Sequence, residues 1–200
     1  MIEASVRLRL GEFQLNADLR GDGVICLAGK NGSGKTTLMR AMAGFLPFEG
    51  FVRVGGADVT SLPTEKRNLV LVTPSSCFPH LGVDSHLIWG AKLKGSRPPD
   101  GYLLKVKSEL GIDFGGKVSS LSRGMRQRVS LATVLISSPR AILVDEAFLG
   151  LHERETFISA YGAMAKAAGV DLVFSSQDEA DGALADHLFL MDSGMVTQTR

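Results

Sequence analysis

Short apolar runs alternate along this chain with longer stretches that have the composition of helices. The strands predicted from these runs lie at residues 24–28, 68–72, 141–145 and 171–175, and the helical patterns lie at 36–43, 122–138 and 153–168. The run at 68–72 is typical of a parallel strand buried on both faces. Because strands that alternate with helices form largely parallel sheets, the pattern predicts an α/β fold, with a last short strand at 188–191.

Near the N-terminus, apolar and polar residues alternate with a period of two. The alternating apolar positions on the two sides of Gly11-Glu12 are Val6, Leu8, Leu10, Phe13, Leu15, Ala17 and Leu19. This pattern predicts an antiparallel hairpin with one covered face. Residues 51–54, which precede Gly55-Gly56, predict a further edge strand that ends in a tight turn.

No strong strand pattern interrupts residues 74–120. Helical patterns at 83–94 and 102–110 flank a loop at 95–101 that is rich in glycine, proline and serine. We therefore predict an inserted helical subdomain over residues 74–138, which ends in the helix at 122–138. Residues 1–73 and 139–200 are predicted to form the α/β part of a single domain, including the antiparallel β region.

A phosphate-binding pattern, G-x-x-x-x-G-K-[ST], follows the apolar run at 24–28. Its residues are Gly29, Lys30, Asn31, Gly32, Ser33, Gly34, Lys35 and Thr36, and Thr37 continues into the helix. The glycines let backbone N–H groups converge on phosphate oxygens, the lysine adds positive charge, and the Thr36 hydroxyl completes a magnesium shell. A helix N-terminus also favours anions. The pattern predicts a site for a triphosphate and Mg²⁺, and the family resemblance described below implies that the triphosphate is that of ATP.

An acidic pair, Asp145-Glu146, follows the run at 141–144. A carboxylate at the end of a buried strand can hold magnesium through water, while the next one can orient an attacking water. Ligands of parallel sheets bind at the carboxyl ends of strands. We therefore expect the phosphate loop, the acidic pair and Ser175 to converge on one site.

Composition excludes several classes of protein. The net charge is +1 and no dense basic block occurs, so nucleic acid is not an expected partner. No apolar window approaches the ~20 residues that cross a bilayer. The two cysteines, Cys26 and Cys77, lack metal-ligand spacing and fit a reducing cytosol. Charged residues at positions 3, 7 and 9 exclude a signal peptide at the start of this sequence.

Residues 121–129, LSRGMRQRV, resemble the signature segment of the ATP-binding-cassette (ABC) ATPases, L-S-G-G-Q followed by Q-R. The resemblance implies a P-loop NTPase fold and a dimer of two cassettes, identical or different, arranged head to tail. It also implies that the start of this helix acts on the nucleotide bound by the opposite subunit. The residues concerned are Ser122, Arg123, Gly124 and Met125.

Other segments extend the resemblance over nearly the whole chain. Importers of the maltose, sulfate and molybdate groups have segments similar to residues 55–68 and to Phe78-Pro79-His80-Leu81. The start of the chain, residues 7–13, looks most like the corresponding part of archaeal molybdate/tungstate ATPases. The resemblance implies an importer ATPase on the cytoplasmic face of the cell membrane. Its implied partners are membrane permease subunits and, indirectly, a solute-binding protein, and its implied solute is an oxyanion such as molybdate or tungstate.

Several positions depart from the family pattern. They are Pro74 at the Q-loop glutamine, Arg123 and Met125 in the signature, Ala147 after the acidic pair, His152 in the D-loop, Ser176 at the switch histidine and Leu10 at the adenine-stacking aromatic. We expect Phe13 to substitute as the aromatic residue and Ser176 to reach the γ-phosphate through water. Loss of one polar group at a transition state costs roughly 10²- to 10³-fold in rate, so we expect slow hydrolysis.

Two alternatives remain open. A nucleotide-binding cassette that scarcely hydrolyses ATP, as a regulatory module or one half of a heterodimer, would explain the departures. The retained Glu146, as the residue expected to polarise water, favours hydrolysis instead. A small-molecule kinase would leave the segment at 121–129 unexplained.

Overall fold

The computed structural model describes residues 1–199 and contains one ten-stranded mixed sheet. The strands are β1 (Ile2–Leu10), β2 (Phe13–Gly21), β3 (Val24–Ala28), β4 (Glu49–Val54), β5 (Ala57–Asp58), β6 (Leu69–Val72), β7 (Ala141–Val144), β8 (Asp171–Ser176), β9 (His187–Asp192) and β10 (Met195–Gln198). The helices are α1 (Lys35–Met42), α2 (Val83–Leu87), α3 (Trp89–Leu93), α4 (Tyr102–Glu109), α5 (Arg123–Ile136) and α6 (Arg154–Ala167). The strand order is β5-β4-β1-β2-β10-β9-β3-β8-β7-β6.

Five strands in the order β9-β3-β8-β7-β6 form the parallel core, which confirms the predicted α/β fold. All five residues of β3 are buried, as are all four of β7, because both strands are covered by side chains on both faces. One hydrophobic cluster packs β3, β7 and β8 against α5 and α6, and the other packs them against α1 and the antiparallel strands. The carboxyl ends of β3, β7 and β8 therefore open on the same edge.

The predicted N-terminal hairpin is present. β1 pairs with β2 in an antiparallel register that places Val6 opposite Ala17 and Leu8 opposite Leu15. The prediction that residues 51–54 form an edge strand is wrong, because the chain turns at Gly55-Gly56 and the two-residue β5 pairs outside β4. The sequence pattern also missed β10, which turns back at Ser193-Gly194 and pairs with β9.

Residues 74–138 contain helices and no strand, as predicted for the inserted segment. The predicted helix at 83–94 is divided at Ile88 into α2 and α3. Here Gly90 packs closely on α5: an added Cβ would lie 2.7 Å from the Ser137 Cβ. The strand β6 is at the edge of the sheet and is buried only at its two ends, so the expectation of burial on both faces is wrong.

Within residues 1–199, no helix combines the length and the apolar character that crossing a membrane requires.

Candidate functional site

The phosphate loop leaves the carboxyl end of β3 and leads into α1. The Gly29 amide donates to the Ser176 carbonyl at 3.1 Å, which ties the start of the loop to β8. A Cβ on Gly29 would lie 2.2 Å from the Met191 carbonyl oxygen, so only glycine fits there. Gly34, just before α1, has a φ of 111°, which disfavours any residue with a side chain.

Lys35 is folded into this loop and is only 6% exposed. Its ammonium donates to the Gly29 and Lys30 carbonyl oxygens, at 2.5 Å and 2.9 Å. Burial lowers the pKa of Lys35, and the charges of Glu146 and Asp145 act in the opposite direction. The Lys35 ammonium therefore depends on nearby anionic groups to offset its desolvation.

The Ser33 hydroxyl in the same loop is buried and has no hydrogen-bond partner within residues 1–199. Buried polar groups nearly always have a partner, so an unpaired hydroxyl in a loop of this pattern indicates a polar ligand. Together with the loop amides and the Lys35 charge, it fits a phosphate group.

The acidic pair lies beside the loop, as its position after β7 predicts. Ser175 Oγ donates to Asp145 Oδ1 at 3.1 Å and accepts from the Glu146 amide at 2.9 Å. Glu146 has a φ of 56°, a left-handed conformation that costs energy in a residue with a side chain. Such outliers persist where the surrounding contacts determine the backbone, and here Ser175 holds the Glu146 amide.

One cavity of about 180 Å³ collects most of the predicted nucleotide-binding residues. It is lined by Phe13, Asn31, Gly32, Gly34, Lys35, Thr36, Thr37 and Glu146. Phe13 begins β2 and packs on the loop, since a Cβ on Gly34 would lie 2.8 Å from the Phe13 Cζ. The tertiary structure thus puts a flat ring beside the phosphate loop, where we expect it to stack on adenine.

Thr36 and Asp145 are suited to hold a magnesium ion whose remaining ligands would be water and phosphate oxygens. Thr36 is exposed at the cavity wall, and the Asp145 carboxylate accepts a hydrogen bond from Ser175. In the chain up to residue 199, no three or more His, Cys, Asp or Glu side chains are clustered as metal ligands.

The signature residues lie outside that cavity. Ser122 caps α5 by accepting from the Met125 amide at 3.2 Å, and Ser122 and Arg123 are both exposed. Gly124 lies near Gly150, because a Cβ added to Gly124 would be 3.8 Å from the Gly150 carbonyl oxygen. Within one chain, the phosphate cavity is therefore lined without any of the four signature residues.

The structure shows the hydrogen bonds around two of the departures from the family pattern, Pro74 and Ser176. Pro74 follows β6, and the neighbouring hydroxyls bond locally: the Thr73 amide donates to Ser76 Oγ at 2.9 Å. Ser176 is buried, and its hydroxyl donates to the Asp181 carboxylate. The hydroxyl that we expected to face the γ-phosphate is engaged there, and its role toward phosphate stays a prediction.

The sequence patterns missed Arg154 and Asp181, which meet beside Ser176. Arg154 begins α6, and Asp181 lies in the 3₁₀ turn that follows β8. No spacing rule connects two residues that are 27 positions apart. The one sequence signal near this pair is Ser176, which replaces the switch histidine of the family pattern.

Comparison with known proteins agrees with the geometry. Residues 13–149 match the family described as ABC transporter. The chain is 37% identical to the molybdenum import ATP-binding protein ModC 2 of Azotobacter vinelandii, over 96% of the chain and 57% of that protein. It is 34% identical to the spermidine/putrescine import ATP-binding protein PotA of Bacteroides thetaiotaomicron, over 98% of the chain and 42% of that protein. The chain thus spans about half the length of the curated relatives it matches.

Solved structures share the fold. The ATP-binding subunit of an ABC transporter aligns with a TM-score of 0.82 at 19% identity, covering 99% of this chain and 89% of that one. The protein cbiO1 from Clostridium perfringens, part of the ABC transporter complex cbiONQ, aligns with a TM-score of 0.77 at 21% identity, covering 98% and 86%. The resemblance noted in the sequence is confirmed, and this chain belongs to the ABC transporter family.

Proposed function

We propose that this chain binds and hydrolyses ATP as the energy-coupling subunit of an importer. The observation that carries the proposal is the cavity in which the phosphate loop and Glu146 meet, with Asp145 fixed alongside by Ser175. The curated relatives are import ATP-binding proteins, which supports import. ATP would join two cassettes, and hydrolysis would release them.

Each site residue has a role in this proposal. Lys35 and the loop amides bind the β- and γ-phosphates, and Phe13 stacks on the adenine. Thr36 and Asp145 would hold Mg²⁺, which neutralises phosphate charge when it is bound. Glu146 orients and polarises the attacking water, while the signature residues at the start of α5 act on the nucleotide of the second cassette.

The proposed partners are a second cassette, membrane permease subunits and, indirectly, a solute-binding protein, at the cytoplasmic face of the membrane. Phe78 offers a surface for a permease, because it is 41% exposed and its ring lies 5.5 Å from that of Trp89. Leu87, on the neighbouring helix α2, is fully buried and belongs to the core, so it is not part of this surface. We propose an oxyanion such as molybdate or tungstate as the solute, by likeness to the molybdenum importer protein.

The test is magnesium-dependent ATP hydrolysis by the purified chain, compared with Glu146→Gln and scored together with ATP-induced dimerisation. We expect turnover in the wild type, none in the variant, and a variant dimer that persists with ATP because the nucleotide is not consumed. Glu109→Gln, an exposed glutamate on α4, is the matched control and should behave as wild type.

The second candidate function is a cassette that binds nucleotide and scarcely hydrolyses it. The observation that favours it is the Ser176 hydroxyl, whose hydrogen is donated to the Asp181 carboxylate. ATP binding without turnover in either the wild type or Glu146→Gln would support this candidate and contradict the first.

A further inference from the structure

A buried polar network joins the end of β8 to the start of α6. The Ser176 hydroxyl donates to the Asp181 carboxylate and accepts from the Asp178 amide at 3.0 Å. Arg154 forms an ion pair with the same oxygen of Asp181. Its Nη2 atom also lies 3.5 Å from the Ser176 Oγ. Side chains from β8 and α6 thus meet at one carboxylate oxygen of Asp181, which lies in the turn after β8.

The members of this network depend on one another. The Asp181 side chain is 5% exposed and that of Arg154 is 25% exposed. A carboxylate this far from water is costly unless a counter-charge and hydrogen bonds compensate it, and Arg154 and Ser176 supply both. The Arg154 Nε is itself buried without a partner in the described part of the chain. The guanidinium is therefore oriented mainly by its bond to Asp181.

The strand end that this network holds is in direct contact with the candidate active site. The Ser176 carbonyl accepts from the Gly29 amide, the first residue of the phosphate loop, at 3.1 Å. The preceding residue, Ser175, contacts both members of the acidic pair. A shift of β8 at Ser176 would therefore displace the Glu146 backbone and the start of the loop together.

We propose that Arg154 and Asp181 are positioning residues for ATP hydrolysis, acting through the Ser176 hydroxyl on the end of β8. A serine hydroxyl has one hydrogen to donate, and here Asp181 receives it. Ser176 thus serves as the anchor of the strand end rather than as a direct ligand of phosphate. The inference rests on the proposed hydrolytic function.

The experiment measures kcat and KM for ATP in Asp181→Ala, Ser176→Ala and the double variant. We expect each single change to lower kcat about 10- to 100-fold, because small displacements of a catalytic group carry penalties of that order. The KM for ATP should change less than about twofold. The phosphate loop is also held by α1, which follows it, and by β9, where the Met191 carbonyl lies against Gly29. The double variant should be no slower than the slower single variant, because both changes break the same link.

Two further variants separate positioning from general loss of structure. Arg154→Lys keeps the positive charge and should retain more kcat than Arg154→Ala. Asp18→Ala removes the exposed ion pair between Arg7 and Asp18 on the β1–β2 hairpin, in which the nitrogen and oxygen are 2.6 Å apart. This variant should leave kcat and KM unchanged. Thermal unfolding of every variant identifies those that have simply lost the fold.

The outcomes distinguish this inference from the function on which it rests. Wild-type turnover that requires Glu146, with unchanged kcat in Asp181→Ala and Ser176→Ala, would overturn the inference alone. Rate losses that multiply in the double variant, or that fall on KM, would also overturn it. A wild-type chain without turnover would overturn both proposals.

Discussion

At the scale of single residues, His86 is a buried and hydrogen-bonded part of the core. It is 1% exposed, its Nε2 accepts from the Phe78 amide at 3.0 Å, and its Nδ1 lies 2.7 Å from the Thr133 hydroxyl. Because Nε2 accepts, we assign the proton of the neutral ring to Nδ1. Burial lowers the pKa of His86 below its ordinary value of 6.5, because it disfavours the charged ring.

This shift predicts how stability depends on pH. The unfolded chain takes up a proton on this ring at higher pH than the folded chain does. The stabilising contribution is therefore complete above the unfolded pKa and is lost as the pH falls from there toward the folded pKa. We expect the free energy of unfolding, measured in urea, to fall between about pH 7.5 and about pH 5.5.

The control for this prediction is His86→Gln, which keeps a polar side chain that does not titrate in this range. The variant should lose less stability than the wild type over the same pH interval, even if it is less stable at both ends. An equal loss in the two proteins would assign the pH dependence to other groups.

At the scale of elements, the orientation of α1 depends on Arg67. This side chain is 7% exposed and has no carboxylate partner among residues 1–199. It donates to the Met42 carbonyl at 2.9 Å, at the end of α1, and to the Thr60 and Leu62 carbonyls at 2.8 Å and 2.9 Å. The guanidinium thus caps the helix that carries Lys35 and Thr36, where a positive charge is also favoured by the helix dipole.

We predict that Arg67→Met destabilises the fold by roughly 2 to 4 kcal/mol, since it leaves buried carbonyls without donors. Denaturant unfolding measures the change. Arg53→Met provides the comparison, because Arg53 is 45% exposed and its two ion pairs are 3.9 Å and 4.0 Å long. Exposed pairs of this kind contribute less than about 1 kcal/mol. Equal losses in the two variants would contradict the capping role.

At the scale of the whole molecule, the signature residues lie outside the phosphate cavity of their own chain, and the proposed function assigns them to the nucleotide of a second chain. In a head-to-tail dimer, the loop of each chain would face the signature of the other. We predict that Lys35→Ala and Gly124→Asp chains are each inactive alone and regain ATP hydrolysis when they are mixed. In the mixed dimer, one site combines an intact loop with an intact signature.

Size-exclusion chromatography with ATP should show dimers in the mixture. A control mixture of Lys35→Ala with Lys35→Met should stay inactive, because neither chain then supplies a working loop. Activity of the Gly124→Asp chain alone would contradict the composite site.

Much of the fold and of the candidate site could be predicted from local sequence. The parallel core follows from short apolar runs that alternate with helices, and the phosphate loop follows from glycines at fixed positions before Lys35. Boundaries and short pieces were less predictable. The two-residue β5 and the break at Ile88 have no pattern of their own in the sequence: β5 is defined by its pairing with β4, and the break precedes Gly90, which packs against Ser137 at the end of α5.

Sequence by itself determined which chemistry is present, since the phosphate loop and the acidic pair are each encoded within a few adjacent residues. Tertiary structure alone decided how these groups are held. It put Phe13 on the loop, and it gave the Ser176 hydroxyl to a carboxylate paired with Arg154. The physical reason is range: spacing along the chain encodes contacts within one loop or helix, whereas a contact across 27 residues exists only after strands and helices have packed.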